Sequence, residues 1–437
     1  MADAGILGPY FRRLEGFSAL RWTGRVTKAV GYLVESEGPF CSVGEGCAIF
    51  TEAGRMFAGE IVGFRGRTVL SMPLERPSGI RYGDRIVSRG TQPSLRVGPE
   101  VLGRVIDGSG RPMDDKSGYR ACDYWPLHGE PPLPLERVPI REPLACGIRA
   151  IDGLLTCGRG QRVGIFGGSG VGKSTLIGMM TRATSADLTV LALVGERGRE
   201  VREFLDESIG PQGLARTVVV VSTSDQSPLL RIRAALAATT LAEYFSSRGK
   251  NVLLVIDSLT RFAMAQREIG LAAGEPPTAK GYTPSVFALL ARLIERAGNF
   301  GNGSITAFYT VLMEGDDQQD PLVDAVRALL DGHVILDRRL HAQGHYPSIS
   351  VLDSLSRLMP AVCAPEHLEK TRRLRQLLAA YAASEDLIRV GAYQKGADPL
   401  LDQAISARPA ILAFLQQRKN EPAIFSQTLQ SLLSLAN

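Results

Sequence analysis

The chain has 437 residues, of which 44% are apolar and 22% are charged, a composition typical of a globular protein with two or three domains. Its formal net charge of +5 is small for this length and by itself gives no reason to expect a nucleic-acid partner. No apolar run approaches the roughly 18 residues of a membrane span, and we expect no secretory signal because the N-terminus lacks an apolar core.

The N-terminal part is predicted to form a small β-barrel. Between residues 20 and 95, short apolar stretches such as Gly24–Val30 and Gly59–Phe64 recur between glycine-rich turns, and this spacing favours a barrel over a sandwich. Residues 96–145 are rich in glycine and proline, and we expect them to wrap the next domain rather than to form a flexible linker. They contain one more turn-bounded apolar piece, Leu102–Gly108.

The middle of the chain, residues 146–362, alternates predicted strands and helices. The strands are aliphatic or β-branched with little polar alternation, as strands buried on both faces must be. They cover residues 161–166, 189–194, 217–222, 251–256, 304–311 and 333–337. Helical patterns lie between them, for instance at 228–247 and 285–297, so the order predicts a mostly parallel sheet with crossover helices. From residue 366 onward the pattern is helical.

A nine-residue run at the end of the first of these strands fits the P-loop pattern GxxxxGK[ST]. It consists of Gly167, Gly168, Ser169, Gly170, Val171, Gly172, Lys173, Ser174 and Thr175. A strand precedes the run and a helical pattern follows it, which is the context that the motif needs. Glycines let backbone N–H groups turn toward an anion, and a helix N-terminus adds partial positive charge. We therefore expect Lys173 to reach the β- and γ-phosphates of ATP and Ser174 to bind Mg²⁺.

An aspartate ends another predicted strand. Asp257 follows the apolar run 251–256 in the Walker B arrangement, where a carboxylate at the strand end lies beside the P-loop and can hold Mg²⁺ or its water. The alternative is that Asp257 and Ser258 serve only as the N-cap of a helix. The P-loop about 80 residues upstream favours the metal role.

Charged residues at two further positions could act on a phosphate. Glu196 and Arg197 follow the strand at 189–194, where the carboxylate could polarise the attacking water and the guanidinium could steady phosphate charge. They could equally be solvated loop charges. Arg357 follows the apolar piece 349–352 and could be an arginine finger or part of a surface salt bridge, and spacing alone does not distinguish it from the other basic residues.

Together these residues resemble the hexameric ATPases related to the catalytic subunit of the rotary ATP synthase, over about residues 20–420. Gly195–Arg197 matches that family's catalytic glutamate and the arginine after it, and Val255–Phe262 matches its Walker B strand and helix start. Tyr346 matches the tyrosine that stacks on adenine. Arg357, in Ser-x-Ser-Arg, matches the arginine that a neighbouring subunit presents.

Within that superfamily the chain is most similar to the type III protein export ATPases. Pro276–Ser285 looks like the loop that faces the centre of the ring. Ser169–Ser174 and Glu314–Pro321 resemble the flagellar branch more than the injectisome branch, and Val390–Asp398 is typical of export ATPases. The acidic lever segment near the C-terminus of the rotary catalytic subunit is not evident, which argues against an ATP synthase subunit.

The resemblance implies an α/β fold with a RecA-like P-loop core and a mostly parallel sheet. The implied domains are an N-terminal β-barrel with a short extension (1–95), the ATPase domain (96–365) and a C-terminal helical domain (366–437). The implied activity is Mg²⁺-dependent ATP hydrolysis that assists flagellar protein export by releasing substrates and chaperones and delivering them to the export gate. The implied homohexamer has its sites at subunit interfaces, where the neighbour supplies Arg357 and one subunit supplies Lys173, Ser174, Glu196, Arg197 and Asp257.

The resemblance also implies a set of partners: further copies of the chain, stator or regulator proteins, a central stalk protein and chaperone–substrate complexes. It implies no nucleic-acid partner. The implied location is the cytoplasm, peripherally at the inner-membrane export apparatus, and six cysteines without a CxxC pair agree with a reduced compartment. An injectisome secretion ATPase remains an alternative. So do a rotary ATP synthase subunit, an RNA-translocating termination helicase and a non-catalytic nucleotide-binding subunit, although the last would usually lack a base at Glu196.

Overall fold

Six antiparallel strands close into a barrel in the computed structural model, which describes residues 22–114, 116, 118–119, 123–313 and 320–435. They are β1 (Thr23–Val30), β2 (Leu33–Glu37), β3 (Gly46–Phe50), β4 (Met56–Arg65), β5 (Thr68–Pro73) and β6 (Arg85–Ser88). Their order is β1-β2-β5-β4-β3-β6, and β6 pairs back to β1. The turns at 31–32 and 66–67 each begin with a glycine at positive φ (59° and 60°), as tight hairpin turns require.

The described residues between the barrel and the core form several short strands, in agreement with a connecting segment that is not a flexible linker. It contains β7 (Ser94–Val97), β8 (Val105–Asp107), β9 (Asp123–Pro126) and β10 (Pro143–Leu144). Strand β7 pairs with β9, and β10 pairs with β11 (Cys157–Gly158). The apolar piece Leu102–Gly108 supplies β8, which is an edge strand of the central sheet. The segment is therefore partly built into the ATPase core.

The central sheet confirms the predicted mostly parallel architecture. Its remaining strands are β12 (Arg162–Gly167), β13 (Leu188–Glu196), β14 (Thr217–Thr223), β15 (Asn251–Asp257), β16 (Gly298–Asn299), β17 (Ser304–Leu312), β18 (Gly332–Leu336) and β19 (Ile349–Ser356). The order is β19-β18-β12-β17-β15-β13-β14-β8, with β16 beside β17. Strands β8, β12–β15, β17 and β18 are parallel, whereas β19 runs antiparallel to β18 and β16 antiparallel to β17. All six predicted strands are present.

Helices cover both faces of the sheet and form the C-terminal region. In chain order they are α1 (Arg149–Leu154), α2 (Lys173–Ala183), α3 (Gly198–Glu203), α4 (Gly210–Leu214), α5 (Pro228–Ser246), α6 (Leu259–Ala273), α7 (Pro284–Glu295), α8 (Pro321–Leu329), α9 (Arg338–Ala342), α10 (Met359–Val362), α11 (Pro365–Arg389), α12 (Pro399–Leu415) and α13 (Phe425–Leu435). Phe204–Ile209 forms a π-helical turn between α3 and α4. Within the described ranges, no helix combines the length and apolar character needed to span a bilayer.

The barrel and the C-terminal helices are each anchored to the core by an arginine. Arg233 of α5 donates to Glu60 of β4, and both side chains are buried. Arg149 of α1 donates to the Phe414 carbonyl oxygen at 2.8 Å and pairs with Glu421. These contacts fit the predicted three-part organisation, and the exact domain bounds 1–95, 96–365 and 366–437 stay predictions.

Candidate active site

The P-loop lies between the end of β12 and the start of α2. Gly170 and Gly172 have φ values of 78° and 94°, a left-handed conformation that favours glycine at both positions. The Lys173 ammonium donates to the carbonyl oxygens of Gly167 (2.8 Å) and Gly168 (2.7 Å), which places it within the loop. The glycine backbone and the helix N-terminus together make a surface suited to phosphate.

Asp257 ends β15, which is separated from β12 by one strand. Its carboxylate is buried, and Oδ1 accepts a hydrogen bond from the Thr310 hydroxyl at 2.6 Å. Burial raises the pKa of Asp257, while the Thr310 hydrogen bond and the Lys173 charge act in the opposite direction. The cap of α6 is Ser258, whose hydroxyl accepts from the Arg261 N–H at 3.3 Å. The Asp257 carboxylate thus has no capping role and lies near the Lys173 charge.

Glu196 ends β13, the neighbour of β15, so the carboxyl ends of two adjacent strands bring Glu196 and Asp257 together. Burial raises the pKa of Glu196 to about 7, and the charges of Asp257 and Glu200 act in the same direction. A carboxyl group with a pKa near neutrality can accept and release a proton during turnover. Arg197 is exposed and pairs with Glu200 at 3.3 Å, so within one chain it points to a neighbouring carboxylate.

Arg357 lies away from these residues within the same chain. It follows β19, and its N–H donates to the Asp331 carbonyl oxygen at 3.0 Å, at the start of β18. Gly167 pairs instead with Leu336 at the far end of β18. Asp331 and Leu336 are separated by five residues along that strand, about 16 Å in extended chain. The arginine therefore lies at the opposite end of the sheet from its own P-loop.

A cavity of about 830 Å³ opens beside the P-loop. Gly170–Gly172 and Thr175 form one wall, and Tyr346 forms part of another. Two hydrogen bonds fix the backbone around Tyr346. The Gln417 N–H donates to the Tyr346 carbonyl oxygen at 2.8 Å, and the Ser348 hydroxyl donates to the Val171 carbonyl oxygen at 2.7 Å. The structure thus brings Tyr346 and the P-loop to one cavity.

The C-terminal region supplies a third wall that sequence reasoning missed. Gln416–Lys419 and Glu421, between α12 and α13, line the cavity together with Arg149. Gln417 is buried, and its side chain donates to the Gly147 carbonyl oxygen and accepts from the Arg149 N–H at 2.9 Å. The segment is polar, lies more than 200 residues from the P-loop and matches no nucleotide-binding pattern, so no local signal could have identified it.

Of the three further segments that resemble export ATPases, the structure describes two completely and one in part. Within Pro276–Ser285, the loop carries Lys280 at a φ of 52°, and the Lys280 ammonium pairs with Asp320 at 2.8 Å. Val390–Asp398 joins α11 to α12, and Asp398 caps α12 by accepting from the Leu400 N–H at 2.8 Å. Residues 314–319 of Glu314–Pro321 lie outside the described residues.

Three family models match consecutive parts of the chain. The β-barrel domain of the ATP synthase alpha/beta family matches residues 26–90, and the nucleotide-binding domain of that family matches 147–356. The C-terminal domain of the type III secretion ATPase EscN matches 363–434. The last model is that of a secretion ATPase and not of a rotary ATP synthase subunit.

Curated relatives match over nearly the full length. The chain is 52% identical to the flagellum-specific ATP synthase of Pseudomonas aeruginosa, over 98% of this chain and 97% of that protein. It is 49% identical to the flagellum-specific ATP synthase of Bacillus subtilis, over 94% of each. The type 3 secretion system ATPase of Sinorhizobium fredii is 47% identical over 93% of this chain and 90% of its own length.

Solved structures give the same fold. The assembled ATPase EscN from the type III secretion system of enteropathogenic E. coli is 44% identical and superposes with a TM-score of 0.89, over 95% of this chain and all of that chain. EscN in complex with its central stalk EscO has a TM-score of 0.87 over the same shares. The order of barrel, parallel-sheet core and C-terminal helices is thus shared along almost the entire chain.

Proposed function

Because this chain belongs to the type III export ATPases of the ATP synthase alpha/beta family, we propose that it is a P-loop ATPase whose hydrolysis of ATP assists flagellar protein export. The observation that carries this proposal is the combination of a rotary-type nucleotide-binding domain with a secretion-type C-terminal domain. The flagellar assignment is supported by relatives named flagellum-specific at 49% and 52% identity.

The nucleotide would lie between the P-loop and the cavity at Tyr346. The loop N–H groups and the Lys173 ammonium would bind the phosphates, and the adenine would pack against the Tyr346 ring. Mg²⁺ fits the donor set, because the Ser174 hydroxyl and the buried Asp257 carboxylate offer the hard oxygen ligands that this ion prefers. When bound, the ion would neutralise phosphate charge.

Glu196 would act on the water that attacks the γ-phosphate. Its pKa of about 7 means that about half of the groups are ionised at neutral pH, and the ionised form can orient the water and take up a proton as the phosphate bond breaks. Arg197, next to it, would steady phosphate charge after leaving its exposed contact with Glu200. Within the chain, the general base and the phosphate cradle are therefore supplied by the P-loop and neighbouring strand ends.

A homohexamer would complete the site. The position of Arg357 at the opposite end of the sheet supports this, because a neighbouring copy must present the arginine if it is to reach the γ-phosphate. Each site would then consist of the P-loop and strand ends of one subunit and Arg357 of the next. The assembled state of the related EscN supports the same arrangement.

The proposed partners follow from the same family. A central stalk protein is the partner that related EscN binds, and we extend this to the present chain. Stator or regulator proteins and chaperone–substrate complexes complete the set, at the cytoplasmic face of the inner-membrane export gate.

Deletion of the gene in the bacterium that encodes it tests the flagellar proposal. We expect loss of filaments and motility, restored by the wild-type gene and not by a Lys173→Ala allele. Normal motility with loss of injectisome secretion would instead establish an injectisome secretion ATPase, the alternative that the match to EscN supports. ATP hydrolysis by the purified chain, measured alongside, tests the enzymatic activity independently of the export system.

A further inference from the structure

His341 packs against the aromatic side chain that lines the nucleotide cavity. The ring centroids of His341 and Tyr346 are 5.1 Å apart and the rings are nearly perpendicular, at 88°. Both residues line the same cavity as the P-loop. This is the edge-to-face geometry that aromatic pairs prefer.

The helix that carries His341 is fixed independently of Tyr346. Helix α9 is capped by Asp337, whose carboxylate accepts from the Arg339 N–H at 2.6 Å, and the His341 N–H donates to the Asp337 carbonyl oxygen at 3.1 Å. The imidazole therefore starts from a defined backbone position.

The Tyr346 ring depends on a side-chain contact for its orientation. Hydrogen bonds from Gln417 and Ser348 fix the backbone around Tyr346, but they do not fix its side-chain torsions. The residue is 47% exposed, and in the described part of the chain the ring that packs against it is that of His341. A tyrosine ring that turned freely would have to be ordered by the incoming base, at a cost in affinity.

No hydrogen bond through Nδ1 holds the His341 ring in place among the described residues. His341 Nδ1 is buried and has no hydrogen-bond partner among the described residues. A buried nitrogen without a partner costs free energy instead of contributing to it. The contact with Tyr346 is the interaction that we assign to this ring.

We propose that His341 is a positioning residue for ATP, holding the Tyr346 ring in the orientation in which it packs against the adenine. This inference rests on the proposed nucleotide site and adds to it a residue whose effect on ATP binding passes through the Tyr346 ring.

The test compares the full-length wild type with His341→Ala, His341→Phe and Arg339→Ala. Arg339 is an exposed residue on the same helix that does not line the cavity, so its variant controls for changes to α9. We expect His341→Ala to raise KM and the dissociation constant of a fluorescent ATP analogue about three- to tenfold, the equivalent of one aromatic pair, with kcat nearly unchanged. His341→Phe keeps the ring and should bind like the wild type.

Wild-type affinity in His341→Ala would overturn the inference, and so would a His341→Phe variant as weak as His341→Ala, because the nitrogen would then matter. A Tyr346→Ala variant separates this failure from that of the site itself. If Tyr346→Ala binds ATP as the wild type does, the adenine position is wrong. If Tyr346→Ala weakens binding and His341→Ala does not, only the role of His341 is wrong. In the Tyr346→Ala background, His341→Ala should add almost nothing.

Discussion

Two carboxyl groups at neighbouring strand ends have different surroundings, and this separates their chemistry. Asp257 is buried, accepts from Thr310 and lies near the Lys173 charge, which suits a fixed ligand. Glu196 is only half-buried, and its pKa of about 7 allows it to exchange protons near neutrality. Burial and neighbouring charges thus support different proposed roles for two residues of the same chemical class.

Lys173→Ala should abolish hydrolysis and leave the fold intact. The variant removes the ammonium from a loop whose carbonyl oxygens it contacts at 2.7 and 2.8 Å, so the β- and γ-phosphates lose their positive partner. Phosphate release measures activity, and circular dichroism checks the fold. Lys250→Ala, an exposed lysine in a turn, is the matched control. Hydrolysis at the wild-type rate by folded Lys173→Ala would contradict the assignment.

Glu196→Gln should bind nucleotide and lose turnover by about 10²–10⁴-fold, since the amide keeps the shape and cannot accept the proton. Nucleotide affinity and single-turnover hydrolysis measure the two effects separately. If binding disappears together with turnover, Glu196 has a structural or metal-binding role instead.

The pH dependence of the wild type provides a second measurement on Glu196. Its pKa is raised to about 7, so the carboxyl group is protonated and inactive as a base at lower pH. We expect kcat/KM to rise with pH and to level off above about 7, since this parameter reports the free enzyme. An acid limb near the usual glutamate value of about 4.5 would show that the surroundings of Glu196 do not control the rate.

At the scale of elements, the barrel is tied to the core by a buried ion pair. Glu60 of β4 accepts from Arg233 of α5, and His128 lies 3.6 Å from the other Glu60 oxygen. Burial alone would raise the pKa of Glu60, but the Arg233 charge and His128 lower it, so the carboxylate is ionised where it joins two domains.

Arg233→Ala should therefore destabilise the protein by about 3–5 kcal/mol, because it leaves the Glu60 charge buried with only His128 beside it. Urea denaturation followed by tryptophan fluorescence measures this, since Trp22 directly precedes β1 of the barrel and Trp125 packs against Tyr244 of α5. The control is Arg81→Ala, which breaks the exposed pair with Glu52 and should cost about 0–1 kcal/mol. Equal effects of the two variants would show that the buried pair does not anchor the barrel.

The elements that the sequence predicted well are those whose neighbours do not decide their conformation. The strand Thr217–Thr223 is β-branched at every position except Ser222, and such a run predicts a strand that is buried on both faces. Strand β8 has only three residues in a segment rich in glycine and proline, and it is a strand because β14 offers it a free edge. Strand β19, at the other edge of the sheet, runs antiparallel to β18, and no local pattern encodes that direction.

At the scale of the whole molecule, the candidate site likewise consists of residues that the sequence predicts and residues that it does not. The P-loop, Glu196 and Asp257 follow strands that a reader can find, and their proximity follows from strand order in a parallel sheet. His341 reaches the cavity through the fold of the core, and the segment around Gln417 reaches it because the C-terminal helices pack against that core. The position of the Gln417 segment depends on long-range contacts such as that of Arg149 with the Phe414 carbonyl oxygen, and no sequence motif predicts it.

Arg357 gives the sharpest test of the assembly, because it lies at the opposite end of the sheet from its own P-loop. If a neighbour supplies it, activity per chain should rise steeply with protein concentration as rings form. Arg357→Ala should bind ATP almost normally and fail to hydrolyse it, since a finger arginine contributes about 10³–10⁵ in rate and acts mainly in the transition state. Phosphate release across a dilution series, with mass measurement of the rings, checks both expectations.

Mixing two inactive variants then distinguishes an arginine acting across the interface from one acting within its own chain. In rings that contain both Arg357→Ala and Lys173→Ala chains, some interfaces pair an intact P-loop with an intact arginine, so partial activity should return. If Arg357 acted within its own chain, every site in the mixed ring would lack one group and no activity would return. Two results would therefore contradict the proposed interface. Confirmed mixed rings that stay inactive would mean that the arginine acts within its own subunit. A fully active Arg357→Ala variant would mean that the arginine is dispensable.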